Sequence, residues 1–399
     1  MSRTFGAVFL LACALPSFAD NLATEWMDRV THEVQQQEGP LSTRPVDFHL
    51  YGGVYGYYTD NLFLANNRDA DGDSAVIGLA RARIDYVDSQ LEISADAMVN
   101  FDYYMEHHEG REDEERFFGK IRWTDGVVDL QLVEIARRES DPIDAVFADR
   151  VRRVVTDTFP RAGVRFAELF KLEAFAQIET VWFEHDDFDG RENESVRGGV
   201  AFLGDITPTI AIGAEAGLYG IHYRDEDTTN SAEGAFVRAL MRGEPLSKLL
   251  IEVAAGWGGI RSDDPDDPDD RKRTRSTFDA ELHVRWEATS TITIFFDYTR
   301  RYGFAGFGDP YQHIDRGVVI AEWQVFEKLK LRGRGQYDYV HPSQSQARTF
   351  WAGTLSASFQ VFENMTVEGG VIYRGGNQRG VSGDNYDNWI FYLGVVFGF

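Results

Sequence analysis

From residue 47 onward the chain is written in period two. Between 90 and 103, Leu91, Ile93, Ala95, Ala97, Val99, Phe101 and Tyr103 alternate with Gln90, Glu92, Ser94, Asp96, Asn100 and Asp102. This spacing puts apolar side chains on one face of a strand and polar ones on the other, a pattern that no helix produces. Similar ladders recur at 76–86, 117–123, 172–182, 196–204, 210–222, 249–257, 278–286, 292–302, 317–325, 329–339, 349–361 and 365–373. Each is about the length that crosses a bilayer when tilted. The chain ends in the same way: Trp389, Phe391, Leu393, Val395, Phe397 and Phe399 share one face, and Ile390, Tyr392, Gly394, Val396 and Gly398 share the other. A soluble fold would have to bury the carboxylate that follows this apolar face or leave a sticky edge strand. A closed membrane barrel has neither difficulty, because its last strand pairs with its first and the apolar face meets lipid.

Connections between the ladders alternate in length. Short turns fall at 88–89, 125–126, 169–171, 205–208, 243–247, 288–290, 326–328 and 362–364. Long polar stretches fall at 59–73, 104–115, 140–160, 185–194, 224–231, 262–276, 303–313, 341–347 and 375–387. Short turns on the periplasmic side and long loops outside are the outer-membrane arrangement. The expected fold is therefore all-β, a transmembrane antiparallel barrel of about 18 strands, or 16 if the weakest segments, 47–58, 127–137, 161–168 and 232–242, are not all strands. Two of the turns are near repeats, Gln324-Val325-Phe326-Glu327-Lys328 and Gln360-Val361-Phe362-Glu363-Asn364. Both read as hairpins with an aromatic at the membrane interface.

Ahead of the barrel, Arg3, the apolar run 5–15 and Pro16-Ser17-Phe18-Ala19 read as a secretory signal peptide over residues 1–19, cleaved after Ala19. The competing reading is a lipoprotein box ending on Cys13, the chain's single cysteine. Cleavage after Ala19 removes that thiol, so disulfides, thiolate metal sites and a catalytic cysteine are excluded. Residues 20–46 form a periplasmic segment in which Leu22, Trp26, Val30 and Val34 lie four apart, the stripe of a short amphipathic helix stopped by Gly39-Pro40. A barrel plug or a docking helix is the sharper alternative for this segment. The barrel itself takes 47–399. With 65 acidic against 40 basic residues and a formal net charge of −25, nucleic acid is excluded as a partner.

The terminal alternation ending in Phe399 resembles the C-terminal signal of bacterial outer-membrane proteins. That resemblance implies the barrel-assembly machinery as a partner. Early in the mature chain, Tyr57-Tyr58-Thr59-Asp60-Asn61-Leu62-Phe63 together with the hairpin pattern resembles outer-membrane β-barrel porin families that carry a Tyr-x-Asp-Asn-Ile-Phe-like signature. Leu62 stands where the signature usually has Ile. The resemblance implies a porin-like barrel and a link to exopolysaccharide export or secretion.

Polar faces of the ladders must point into the lumen, since charges facing lipid at mid-bilayer cost about 2–4 kcal/mol each. In the hairpin around 326–328 the outward residues are odd-numbered. This places Glu322 opposite Arg332 and Arg316 opposite Asp338, and leaves Lys330 and Arg334 with no opposite partner. Arg348 and Arg374 on later strands extend these into a basic lumen wall, and Arg81 and Arg83 lie near Glu92 and Asp96 at the other end. The functional reading is a channel for small hydrophilic or anionic solutes, in contact with outer-membrane lipid and lipopolysaccharide. The plainer reading is a charge ladder that only solvates the lumen. Asn67, Asp69 and Asp71 resemble the start of a calcium loop, but Gly78 stands where the closing Glu belongs. A solvated loop is the preferred reading there and for the acidic run 263–270, so no metal or other cofactor is expected. An outer-membrane hydrolase would draw on His107, His108, His185, Asp186 and His222, for which no spacing is fixed. A structural or adhesin barrel without transport is the third class.

Overall fold

In the computed structural model the described residues are 46–60, 72–106, 113–139, 152–167, 169–184, 192–224, 231–262, 273–303, 311–342, 347–378 and 386–398. Among them are eighteen strands and no helix. The first six are β1 (Val46–Thr59), β2 (Asp73–Val87), β3 (Leu91–Tyr104), β4 (Asp113–Thr124), β5 (Val128–Glu139) and β6 (Arg153–Phe166). Next come β7 (Phe170–Phe183), β8 (Asn193–Thr207), β9 (Ile210–Tyr223), β10 (Ala232–Leu246), β11 (Leu249–Ser262) and β12 (Arg273–Trp286). The last six are β13 (Ile292–Gly303), β14 (Gln312–Phe326), β15 (Leu329–Pro342), β16 (Arg348–Phe362), β17 (Met365–Gln378) and β18 (Tyr386–Gly398). Each pairs antiparallel with its sequence neighbours, and β1 also pairs with β18, from Tyr51↔Gly398 to Thr59↔Ile390. The sheet therefore closes on itself and has no free edge. All four of the weakest sequence segments are strands, so the count is 18 rather than 16.

The boundary that differs most from expectation is the start of β6. The connection expected over 140–160 ends sooner, because β6 begins at Arg153. Pro160 makes this stretch read as a break. It sits inside the strand opposite Leu132, while the ladder to β7 jumps from Thr158↔Ile178 to Arg161↔Phe175. A residue with no N–H is accommodated where the ladder is already interrupted.

The outer surface is the apolar one. Near mid-height, Val54, Leu218, Val237, Leu355 and Leu393 are each more than half exposed. Aromatics flank them at both ends, with Trp323, Phe326 and Phe362 towards the short turns and Tyr58, Trp257, Tyr337 and Trp389 towards the long connections. An apolar band between two aromatic girdles matches the profile of a bilayer. On β18, Trp389, Phe391, Leu393 and Phe397 are exposed and Val395 half-buried on this outer face. Phe399, residues 1–45 with their signal and helix, and the calcium-like Asn67, Asp69 and Asp71 lie outside the described residues.

The short turns close by side-chain capping. Gln324 donates its amide to the Phe326 carbonyl at 2.8 Å and Gln360 donates to the Glu363 carbonyl at 3.0 Å, each beside a register shift, so the sequence repeat is also a structural one. Asp88 accepts from the N–H groups of Gln90 and Leu91 at 2.7 and 2.8 Å, and Asp125 accepts from Val128 and Val127 at 2.7 and 2.9 Å. These backbone donors hold both turn carboxyls below the usual carboxylate range. A depressed folded-state pKa contributes stability that is present above the unfolded value of about 4 and is lost as pH falls through the folded value. An Asp88→Asn, Asp125→Asn double variant is expected to flatten the pH dependence of unfolding below about 4. Acid titrations that superimpose on those of the parent chain would exclude a contribution from these turns.

Candidate functional site: the barrel lumen

Because the outer face takes alternate residues, the intervening ones line the lumen, and the phase is even-numbered throughout β14–β18. Glu322, Arg332 and Asp338 are buried there, and the hairpin register sets Glu322 opposite Arg332 and Arg316 opposite Asp338, as the parity argument requires. Arg316 grips Asp338 with two hydrogen bonds, from Nε to Oδ1 at 2.9 Å and from Nη2 to Oδ2 at 3.1 Å. Such bidentate pairs are among the stronger polar contacts available to a side chain. Arg332 Nε lies 3.6 Å from Glu322 Oε1.

As expected, Lys330 and Arg334 have no charged residue directly opposite, but neither is without a contact. Gln324 and Ile320 lie opposite them, but both side chains reach along the wall instead. Lys330 Nζ comes to 3.7 Å from Glu322 Oε2 on the diagonal, and Arg334 donates to Gln336 Oε1 at 2.8 Å. Gln336 in turn donates to Asp338 Oδ2 at 2.9 Å, so Arg334 joins the Arg316–Asp338 pair through an amide relay. Long side chains make diagonal contacts that a count of opposite residues overlooks. Across the next strand, Ser358, Ser356 and Thr354 stand level with Lys330, Arg332 and Arg334, giving three successive steps of cation beside hydroxyl. Arg348 and Arg374 occupy lumen positions farther towards the long connections. The lumen face of β14–β17 therefore holds six cations (Arg316, Lys330, Arg332, Arg334, Arg348 and Arg374) against three carboxylates (Glu322, Asp338 and Glu368).

At the opposite end of the chain, Arg81 pairs with Asp96, Nε to Oδ1 at 2.8 Å. Arg83 turns to Asp85 on its own strand at 2.9 Å, and Glu92 pairs with Lys120 at 2.5 Å. Between the two charged walls runs an apolar strip on which Tyr55, Ile77, Leu79, Met98, Ile372, Ile390 and Tyr392 pack together. Met98 breaks the polar half of its ladder to join this strip.

Within the stretch 57–63, Thr59 and Asp60 bond across the seam between β1 and β18. Thr59 donates its hydroxyl to Asn388 Oδ1 at 2.7 Å, and Asp60 accepts from the Trp389 N–H at 2.7 Å while its own N–H donates to the Trp389 carbonyl at 3.2 Å. These bonds fasten the upper end of the β1–β18 seam. Asn61, Leu62 and Phe63 lie outside the described residues, as do His107, His108, His185 and Asp186. His222 is exposed on the outer face of β9 and has no place in a lumen site.

The far half of the lumen is a feature that hairpin reasoning does not reach. Arg238 on β10 donates to Asp279 on β12 at 2.8 Å and lies 3.0 Å from Glu281, while also pairing with Glu215 on β9. Arg197 on β8 spans four strands to Asp279 at 3.4 Å and to Glu281 at 3.7 Å, its guanidinium 4.3 Å over the Phe236 ring. Arg242 on β10 reaches back to Glu173 on β7 at 2.7 Å, where Lys171 also binds at 2.6 Å. Glycines leave room for these crossings. Arg238, Gly256 and Asp279 share one register level, so the guanidinium passes over a residue with no side chain. At Gly217 a Cβ would strike both the Gly198 carbonyl and the Phe236 ring that lies on it. A sequence signal for this half does exist, namely glycines at lumen positions of consecutive ladders.

A closed eighteen-stranded antiparallel sheet, apolar outside and charged inside, is a membrane-spanning β-barrel. No protein-family model matches the sequence, and no curated protein does. Solved structures similar to it include the outer membrane protein opdK from Pseudomonas aeruginosa (10% identity, 88% of this chain and 99% of that one, TM-score 0.43). OpdO from the same organism (12%, 88% and 97%, 0.44) and Acinetobacter baumannii OccAB3 (8%, 88% and 100%, 0.41) are others.

Proposed function

We propose that the chain is an outer-membrane channel for passive diffusion of small hydrophilic and anionic solutes, with the β14–β17 wall as the surface that attracts them. The observation that carries this reading is the excess of cations over carboxylates on that wall, inside a chain whose overall charge is −25. Pores lined by Lys and Arg favour anions, because fixed charge in a narrow lumen raises the local concentration of counter-ions. The outer apolar band supplies the contact with membrane lipid and lipopolysaccharide. The exposed alternation on β18 is the assembly signal in this reading, and residues 1–19 are the export signal. The link to surface polysaccharide export rests on the Tyr57–Asp60 part of the motif, whose visible contacts are with the barrel seam. Catalysis is not part of the proposal.

Purified protein in a planar bilayer is expected to show stepwise conductance, with a reversal potential in a salt gradient that reports preference for chloride over potassium. A barrel that inserts without conducting would overturn the channel and favour the structural or adhesin class.

A further inference from the structure

Side chains on β14–β17 pair with neighbours on the same wall, whereas those on β7–β12 reach across the interior. On an unbent sheet, strands four places apart are separated by about 19 Å at the usual inter-strand spacing. An arginine and an aspartate cannot span that gap, yet Arg197 on β8 meets Asp279 on β12. The wall from β8 to β12 is therefore curved much more tightly about its lumen face than a round barrel would be. Aromatic contacts repeat the same crossing: Phe175 on β7 lies 6.5 Å from Phe236 on β10, and Tyr219 on β9 lies 6.2 Å from Tyr302 on β13. Phe236, Arg238 and Leu240 point inward, yet each is no more than 5% exposed, so this lobe is filled and not wet.

We propose that this bridge, Arg197 on β8 and Arg238 on β10 carried to Asp279 and Glu281 on β12, is the size filter of the channel. It rests on the channel reading above and adds what that reading lacks, a determinant of how large a solute can pass. The bridge holds β7–β12 in a tightly curved lobe whose lumen face closes on itself, so the charged residues there pair with one another and the path is confined to the side of β14–β17. Charge preference and bore are then set by different walls. An eighteen-stranded barrel held round would be wide enough for a broad aqueous channel, and the bridge is what narrows this one.

The test is conductance of the full chain in planar bilayers, with uncharged polyethylene glycols of graded mass as size probes. Arg197→Met keeps the aliphatic contact with Phe236 and removes the charge, and Asp279→Asn removes the shared acceptor. Both are checked for folding by the shift in gel mobility between heated and unheated samples. Each variant is expected to raise single-channel conductance about twofold or more and to admit larger polymers, with little change in ion preference. Folded variants with the parent's conductance and polymer cut-off would overturn the filter, even if they melt at lower temperature. A silent parent whose variants conduct would support the filter as a full closure and overturn passive diffusion. Silence in parent and variants alike would overturn both.

Discussion

Replacing Lys330, Arg332 and Arg334 with glutamate is expected to convert the channel from anion-preferring to cation-preferring. The three positions project from one strand at successive lumen levels, beside the hydroxyls of Ser358, Ser356 and Thr354. Six cations and three carboxylates on this wall become three cations and six carboxylates, so its balance changes sign. A change in the permeability ratio on the order of tenfold corresponds to about 1.4 kcal/mol, a modest demand on charges inside a lumen where low-dielectric walls focus their field. The measurement is the reversal potential across a KCl gradient, made at low salt because the screening length is only about 10 Å at 0.1 M. Arg332→Glu sets a new carboxylate against buried Glu322, so the Lys330→Glu, Arg334→Glu double variant serves as the gentler version. A reversal potential that stays on the anion side in both variants would reduce the wall to a charge ladder that merely solvates the lumen.

What could be read from the residues was the part of the structure that depends on nearest neighbours. Alternation decided which face of each ladder is wet. Parity within the 326–328 hairpin decided that Glu322 meets Arg332 and Arg316 meets Asp338, because a strand's side-chain period is two and a one-residue slip would turn the apolar set inward. Diagonal contacts such as Lys330 to Glu322 were lost because opposite-residue counting ignores the length of a lysine. The bridge from Arg197 to Asp279 was lost for a deeper reason. Ladders specify register between adjacent strands, whereas contact between strands four apart depends on curvature, and curvature is written in small residues such as Gly217 and Gly256, where the pattern carries no polarity. Pro160 misled in the opposite direction: a strong local signal for a break was overridden by pairing on one side of the strand alone. The Tyr57–Asp60 motif was legible as a resemblance but not as a role, since its partners Asn388 and Trp389 lie at the other end of the chain.

The closing strand supplies the second large expected effect. Leu393 stands near the middle of β18, is 64% exposed, and lies level with Gly56 on one neighbour and Gly369 on the other, so no larger side chain flanks it on the outer face. A charge placed there cannot hide behind adjacent residues and is too far from either rim to reach water. Leu393→Arg is therefore expected to destabilise the inserted barrel by about 2–4 kcal/mol, whereas Phe397→Arg, four residues nearer the turn end, should cost about 0–1 kcal/mol. Both are measured as the shift in reversible denaturant unfolding from lipid vesicles. The contrast between the two positions is the informative quantity, because a general packing defect at the β1–β18 seam would not follow depth. Equal costs at 393 and 397 would contradict a bilayer centred on mid-strand. A full cost at 397 with little at 393 would move the apolar band towards the turns and with it the level at which Lys330, Arg332 and Arg334 meet the solute.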